Sequence, residues 1–322
     1  MRNENRVVVV GGCLAYDTVF RVDGRFGGRA RGEDQSPEMG FLVTERRSHL
    51  GGCAGNISYG LRQFGITPAP LAVVGGDFAP YRRHLDALLV DVSRIAVVPE
   101  EPTSSCTILT DVDGAQITAH HLGAATHSSM YGIGPHHNVS YGVVAPTNGP
   151  AMKRHAKEFS AAGIPLLFQP GQVVETLSAA DLLEIIAVAE ALVVNEHEAA
   201  VIVDRTGTDL DRLSDLVGLL ALTRGAAGST IMVGADRTEV PAYLSGEAVD
   251  PTGCGDAYVA GLLGGMLSGL DPVTAGRVAA LTAGLNGRRE GTQTYRTTPA
   301  ELESLFASTY GYPVTLRTGP AR

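Results

Sequence analysis

Short apolar runs alternate with helical patterns along most of this chain, and that alternation constrains the fold more than any other feature. Val7-Val8-Val9-Val10 is a β-branched run followed by glycines, the pattern of a strand buried on both faces. Similar runs recur at residues 71–74, 141–145, 165–168 and 191–194. Between them the spacing predicts helices over residues 54–64, stopped by Gly65, and over 151–162 and 179–189. Strand-then-helix order implies an α/β fold in which a mainly parallel sheet carries helices on both faces, three layers deep. With 322 residues the chain can bury the core of one large domain with a smaller appendage.

Two segments break the rhythm. Residues 18–50 are charged and glycine-rich, with short candidate strands at 20–22 and 41–44. Residues 103–121 contain two strand-like runs, 106–110 and 116–120, joined across Asp113-Gly114, a hairpin signal. Together they predict a small β-sheet lid made of 18–50 and 103–121. The large domain then comprises 1–17, 51–102 and 122–322. The last ten residues read as a loose tail.

Composition removes several classes of function. A 44% hydrophobic and 18% charged chain is globular in character. Its net charge is −9, and Arg46-Arg47 and Arg288-Arg289 are only pairs, so nucleic acid is not the expected partner. Cys13, Cys53, Cys106 and Cys254 form no C-x-x-C pair, which favours reduced thiols and a cytoplasmic location. No apolar run is long enough for a membrane span, and the N-terminal run is too short for a signal peptide. His120-His121 and His136-His137 lack a carboxylate at useful spacing and read as loop residues.

The stretch VDPTGCGDAYVAGLLGGML, residues 249–267, carries the strongest chemical signal. Turn formers lead through Thr252 to Gly253-Cys254-Gly255-Asp256, after which a small-residue helix begins. A helix start exposes unpaired N–H groups and partial positive charge, so these residues can aim backbone donors at one anion. Asp256 stands where either an N-cap or the base for a hydroxyl nucleophile belongs. Earlier, GGCAGNISYG at residues 51–60 sets Gly51-Gly52 ahead of Asn56. Such glycines either relieve a tight helix entry or let a polar ligand rest on bare backbone.

Asp250-Pro251-Thr252-Gly253-Cys254-Gly255-Asp256 resembles the D-x-T-G-x-G-D signature of the ribokinase-like, or PfkB carbohydrate, kinases. Gly51, Gly52 and Asn56 resemble the N-terminal signature of that family. Asn195 to Glu198 resembles its N-x-x-E motif, and Thr223 to Gly228 its T-x-G-x-x-G nucleotide loop. Within the family, residues 40–43, 110–113 and 290–293 look most like bacterial adenosine and nucleoside kinases.

The resemblance implies a ribokinase-like fold and ATP-dependent transfer of the γ-phosphoryl group to the ribose 5′-hydroxyl of a nucleoside, adenosine first. Asp256 would be the base, and the backbone of Gly253, Cys254 and Gly255 the anion hole. Asp17, Gly51, Gly52 and Asn56 would hold the sugar, with Phe41 against the ring or base. ATP would meet Asn195, Thr223, Arg224, Gly225, Gly228 and Thr252. Glu198 and Asn195 would organise Mg²⁺ through water, and a monovalent cation such as K⁺ is a further cofactor of this reading. Monomer and homodimer through the lid are both compatible with it. Two departures stand out: Gln169-Pro170 where many relatives have Asp-Pro, and no arginine in Thr103-Ser104-Ser105-Cys106. A sugar kinase of the same family is the alternative, and a nucleoside or nucleotide sensor without turnover is a third.

Overall fold

The computed structural model describes residues 7–26, 40–243 and 249–316. Part of the expected lid, 27–39, and the end of the expected tail, 317–322, lie outside the described residues.

The strands are β1 (Val7–Gly11), β2 (Ala15–Val22), β3 (Val43–Gly51), β4 (Thr67–Gly75), β5 (Ile95–Val98), β6 (Ser104–Thr110), β7 (Gln116–His121), β8 (Val139–Val144), β9 (Leu166–Phe168), β10 (Ala191–Asn195), β11 (Leu219–Thr223), β12 (Ser229–Val233) and β13 (Asp236–Val240). The helices are α1 (Cys53–Gln63), α2 (Ala79–Ala87), α3 (Gly149–Ala161), α4 (Ala179–Ile186), α5 (Glu196–Thr206), α6 (Leu210–Leu216), α7 (Cys254–Leu267), α8 (Pro272–Gly287) and α9 (Pro299–Tyr310).

Nine strands form one sheet in the order β13-β12-β11-β10-β9-β8-β1-β4-β5. The pairs from β11 to β5 are parallel, and β12 and β13 are antiparallel additions at one edge. The valine run of β1 shows why both faces are dry. Val8 and Val10 belong to one buried core with Ile57 and Leu61 of α1 and Val259 of α7, whereas Val7 and Val9 belong to another with Met152 and Phe159 of α3 and Ile202 of α5. Alternate side chains of one strand thus serve two cores. The three-layer α/β/α reading matches this arrangement.

A second sheet has the order β3-β2-β6-β7. Asp113-Gly114 does turn a hairpin, with β6 and β7 antiparallel from Ser105↔His121 to Thr110↔Gln116. Strand β2 begins at Ala15, before residue 18, so Asp17 stands on the small sheet rather than below it. No helix among the described residues is long and apolar enough to cross a membrane.

Chain order places the ligand crevice. Strand β1 continues to β4 on one side and neighbours β8 on the other, so the sheet reverses direction of growth beside β1. Open α/β sheets bind ligands outside the carboxyl ends of strands at such a point.

Candidate active site

Two cavities meet at the turn that starts α7. One, of about 260 Å³, has Cys13 after β1, Pro146 and Thr147 after β8, and Asp17, Cys106 and Ile108 from the small sheet in its lining. The other, of about 300 Å³, lies between the β11–β12 turn and α8, with Thr223, Gly225, Gly228, Tyr243, Tyr258 and Ala283 among its walls. The turn supplies both. Thr252, Gly253 and Asp256 face the first cavity, while Pro251, Cys254 and Gly255 face the second.

The turn is tied down from several directions. Asp250 accepts from the N–H of Thr252 and of Gly291, both at 2.9 Å. Asn286 on α8 donates to the carbonyl of Thr252 at 2.8 Å. Gly253 caps α7 with φ +74, and a Cβ there would come within 2.8 Å of the Thr292 methyl, so glycine is the residue that fits. Asp256 falls in the first helical turn and is not the cap. The Cys254 N–H is used by the Pro251 carbonyl at 3.1 Å. Among the described residues, the N–H groups of Gly253, Gly255 and Asp256 make no such bond, and they stand where the helix dipole favours an anion.

Asp256 is buried, yet its carboxylate is not left bare. Asn56 Nδ2 donates to Oδ2 at 2.8 Å and Gln169 Nε2 to Oδ1 at 3.3 Å. Burial outweighs these donors and raises its pKa to about 6. Asp17 also rises to about 6, first through burial and then through the charges of Asp256 and Asp250. Burial first, then Asp256, with Cys13 and Asp17 adding to it, push the Cys53 thiol well above its ordinary range. The first cavity is therefore an acidic, thiol-lined space with two carboxylates that ionise near neutrality. Among the described residues, the buried Gln169 Oε1 has no hydrogen-bond partner.

The structure redistributes several expected contacts. Both polar atoms of Asn56 are engaged, Nδ2 with Asp256 and Oδ1 with Gln293 Nε2 at 3.0 Å, so its first task is to hold the Asp256 carboxylate. Gly52 lines the first cavity at φ +83, but Gly51 does not line it; Gly51 makes room for the Asp17 carboxylate. Phe41 lies outside that cavity and packs edge-on against Phe26 at 5.3 Å between centroids. Thr252 faces the first cavity and not the second. Arg224 turns from the second cavity to Glu239 and Thr230.

Asn195 and Glu198 form a reciprocal capping box at the start of α5. Glu198 Oε2 accepts from the Asn195 N–H at 3.1 Å and Oε1 from Asn195 Nδ2 at 2.8 Å. Burial raises the Glu198 pKa, and the Asp256 charge adds to the effect. Each carboxylate oxygen keeps a free lone pair, so the donor set suits a hydrated cation better than a bare one. No group of three or more His, Cys, Asp or Glu among the described residues is arranged to hold a metal ion directly.

Gln293 also donates to the Tyr81 hydroxyl and meets His84 Nε2, contacts behind Asp256 that no signal in the sequence marks. Tyr81 and His84 sit in α2, far in sequence from every motif. Gln293 lies in Glu290-Gly291-Thr292-Gln293, a stretch legible only as a subfamily resemblance.

The chain belongs to the pfkB family of carbohydrate kinases, whose sequence profile matches residues 4–299. That membership makes it a phosphotransferase with a hydroxyl acceptor. A nucleoside kinase of Methanocaldococcus jannaschii is 30% identical over 285 residues, 88% of this chain and 91% of the relative. A nucleoside kinase of Methanothermobacter thermautotrophicus is 29% identical over 315 residues, 96% of this chain and 98% of the relative. Among solved structures, the Burkholderia thailandensis nucleoside kinase in complex with inosine superposes with a TM-score of 0.88. It is 35% identical, with 96% of this chain and 99% of that one covered.

Proposed function

We propose that this pfkB-family chain is an ATP-dependent nucleoside kinase that phosphorylates the ribose 5′-hydroxyl of purine nucleosides, with adenosine as the first acceptor to test. The observation that carries the reading is the turn at 250–256, which separates two cavities and contributes to both. It sets Asp256 on the polar side and Gly255 on the other.

The largely apolar cavity beside Thr223, Gly225 and Gly228 would take the adenine of ATP, leaving its phosphates at the start of α7. The acceptor would lie in the first cavity, its sugar between Asp17 and Asp256 and its base toward Ile108, Thr118 and Val173. Asp17 would accept hydrogen bonds from the ribose hydroxyls. Asp256 takes the proton from the attacking hydroxyl, and a carboxylate with a pKa near 6 is ionised at neutral pH while still basic enough for that task. The N–H groups of Gly253, Gly255 and Asp256 hold the charge on the transferring phosphoryl group. Such positioning and electrostatics account for most of the catalysis in this reaction class.

Mg²⁺ would accompany ATP and neutralise phosphate charge. Glu198, oriented by Asn195, would hold its water shell. A free sugar would leave the apolar end of the first cavity unfilled, and the 29–35% identity to nucleoside kinases supports the larger acceptor.

A coupled ADP-release screen against adenosine, inosine, cytidine, ribose and fructose tests the reading. Turnover should be greatest with purine nucleosides. Turnover of free sugars alone would replace it with a sugar kinase, and turnover of none with a sensor.

A further inference from the structure

A chain of hydrogen bonds runs from Asp256 away from both cavities. Asn56 Nδ2 donates to Asp256 Oδ2 at 2.8 Å, and Asn56 Oδ1 accepts from Gln293 Nε2 at 3.0 Å. Gln293 Nε2 also donates to the Tyr81 hydroxyl at 2.7 Å, which donates in turn to the Gly51 carbonyl at 2.8 Å. Gln293 Oε1 stands 3.0 Å from His84 Nε2. An amide oxygen can only accept, so that His84 nitrogen carries the proton. Every group then has one orientation, because turning any amide would set two donors or two acceptors face to face. All the donors in the line from His84 point toward Asp256.

Gln293 holds this place from a left-handed backbone, φ +58, and is buried. Non-glycine residues persist there only when their surroundings over-determine them. Neither Gln293, Tyr81 nor His84 lines either cavity, so none can touch a substrate held there.

The geometry points to Gln293, backed by His84, as the positioning residue that fixes the Asn56 amide with its NH₂ toward Asp256 and so keeps the base ionised. This rests on the reading of Asp256 as the base. The titratable groups that feel the Asp256 charge from the surrounding elements are Asp17 on β2, Glu198 on α5, the thiols of Cys53 and Cys254, and the phenols of Tyr81 and Tyr295, each with its pKa raised by it. Asp250 acts on Asp17 beside it. The thiols and phenols stay neutral while Asp256 titrates, so only the Asp17 and Glu198 carboxylates can oppose its ionisation, and the Cys53 thiol joins Asn56 and Gln169 in favouring it. The oriented donors oppose the two carboxylates. Without Gln293 the Asn56 amide can turn its oxygen to the carboxyl, an arrangement that suits only the protonated form.

Gln293→Met keeps the side-chain length and removes both polar atoms. The test is log kcat against pH, over about pH 5 to 9, at saturating ATP and acceptor. The acid limb should move up by about one pH unit, giving roughly fivefold lower kcat at pH 6, approaching tenfold at pH 5, and a deficit that shrinks toward pH 9. His84→Phe, which keeps a ring stacked on Tyr59, should move the limb the same way by less, and it carries the test if Gln293→Met does not fold. A purely structural Gln293 would lower kcat equally at all pH. An unmoved limb, with ATP affinity and thermal midpoint retained, would overturn the inference. Asp256→Asn separates the two readings. Normal turnover in that variant removes the base and the relay together, whereas an inactive Asp256→Asn beside an unmoved limb removes the relay alone.

Discussion

The Asp17 carboxylate occupies the space in front of Gly51, where any Cβ would overlap Oδ2. Its neighbour Gly52 faces backbone instead, since a Cβ there would lie 2.5 Å from the Cys13 carbonyl oxygen and 2.7 Å from the Ala15 nitrogen. The two glycines therefore serve different ends, and alanine substitutions should separate them. Gly51→Ala meets the end of a movable side chain. It should displace Asp17 and raise acceptor KM several-fold with little change in ATP KM or thermal midpoint. Gly52→Ala forces a left-handed alanine against main chain and should cost about 2–4 kcal/mol of stability by denaturant unfolding. Equal stability losses in both would refute the distinction.

Removing the proposed base gives a direct test of the chemistry. Asp256→Asn preserves shape and can still accept a hydrogen bond from Asn56. Its kcat should fall at least ~10²-fold, the lower end of what a positioned general base contributes. ATP binding by calorimetry should stay near normal, because Asp256 faces the other cavity.

The same burial makes a prediction about stability. Asp17 and Asp256 have folded pKa values of about 6, above the 3.8 expected for an exposed aspartate. Between those values the folded state binds more protons than the unfolded chain. Stability therefore falls as pH rises through that window, by at most ~3 kcal/mol per group, and the loss is complete above it. Asp17→Asn should raise the thermal midpoint at about pH 8 and have little effect at about pH 4, while weakening the acceptor. A midpoint that drops equally at both would show that Asp17 stabilises the fold.

Glu198→Gln tests the cation end of the site. Glutamine can also complete a capping box, so α5 should keep its stability. The magnesium concentration needed for half-maximal activity should rise while acceptor KM stays constant. A shift in acceptor KM instead would move Glu198 to the sugar side.

Much of this architecture could be read from the sequence because its signals are local. The valine run, the glycine-bounded strands and the Asp113-Gly114 hairpin each depend on neighbours within a few residues. Likewise, the turn at 250–256 stands out as a candidate anion site through its own glycines. The relay behind Asp256 could not be read in this way. Asn56, Tyr81, His84 and Gln293 come from different parts of the chain, and no periodicity marks a residue whose role is to orient another. Asn56 shows the limit well: its amide suits a sugar hydroxyl as readily as a carboxylate, and only the folded distance of 2.8 Å to Asp256 shows which partner it has. Phe41 and Arg224 lie outside the cavity linings for a related reason. Each had chemistry fit for a ligand, and tertiary contacts with Phe26 and Glu239 claimed it first.

The small sheet should respond to the acceptor. Strands β6 and β7 contribute Ser104, Cys106, Ile108, Thr118 and His120 to the first cavity, yet every residue of β7 is exposed. A strand that lines a ligand cavity but buries little of itself has few contacts to hold it and can gain many when the cavity fills. Closure would also exclude water, the competing phosphoryl acceptor. Amide hydrogen exchange over 104–121 should therefore slow when a saturating acceptor is added, while β1, wholly buried between α1 and α3, keeps its rate. ATP alone should leave 104–121 unchanged, since none of its residues lines the second cavity. Gly51→Ala, with Asp17 displaced, should show protection only at higher acceptor concentration. Equal exchange with and without acceptor would make the small sheet a fixed wall, and loading of the site would then have to proceed through the existing opening without movement of β6 and β7.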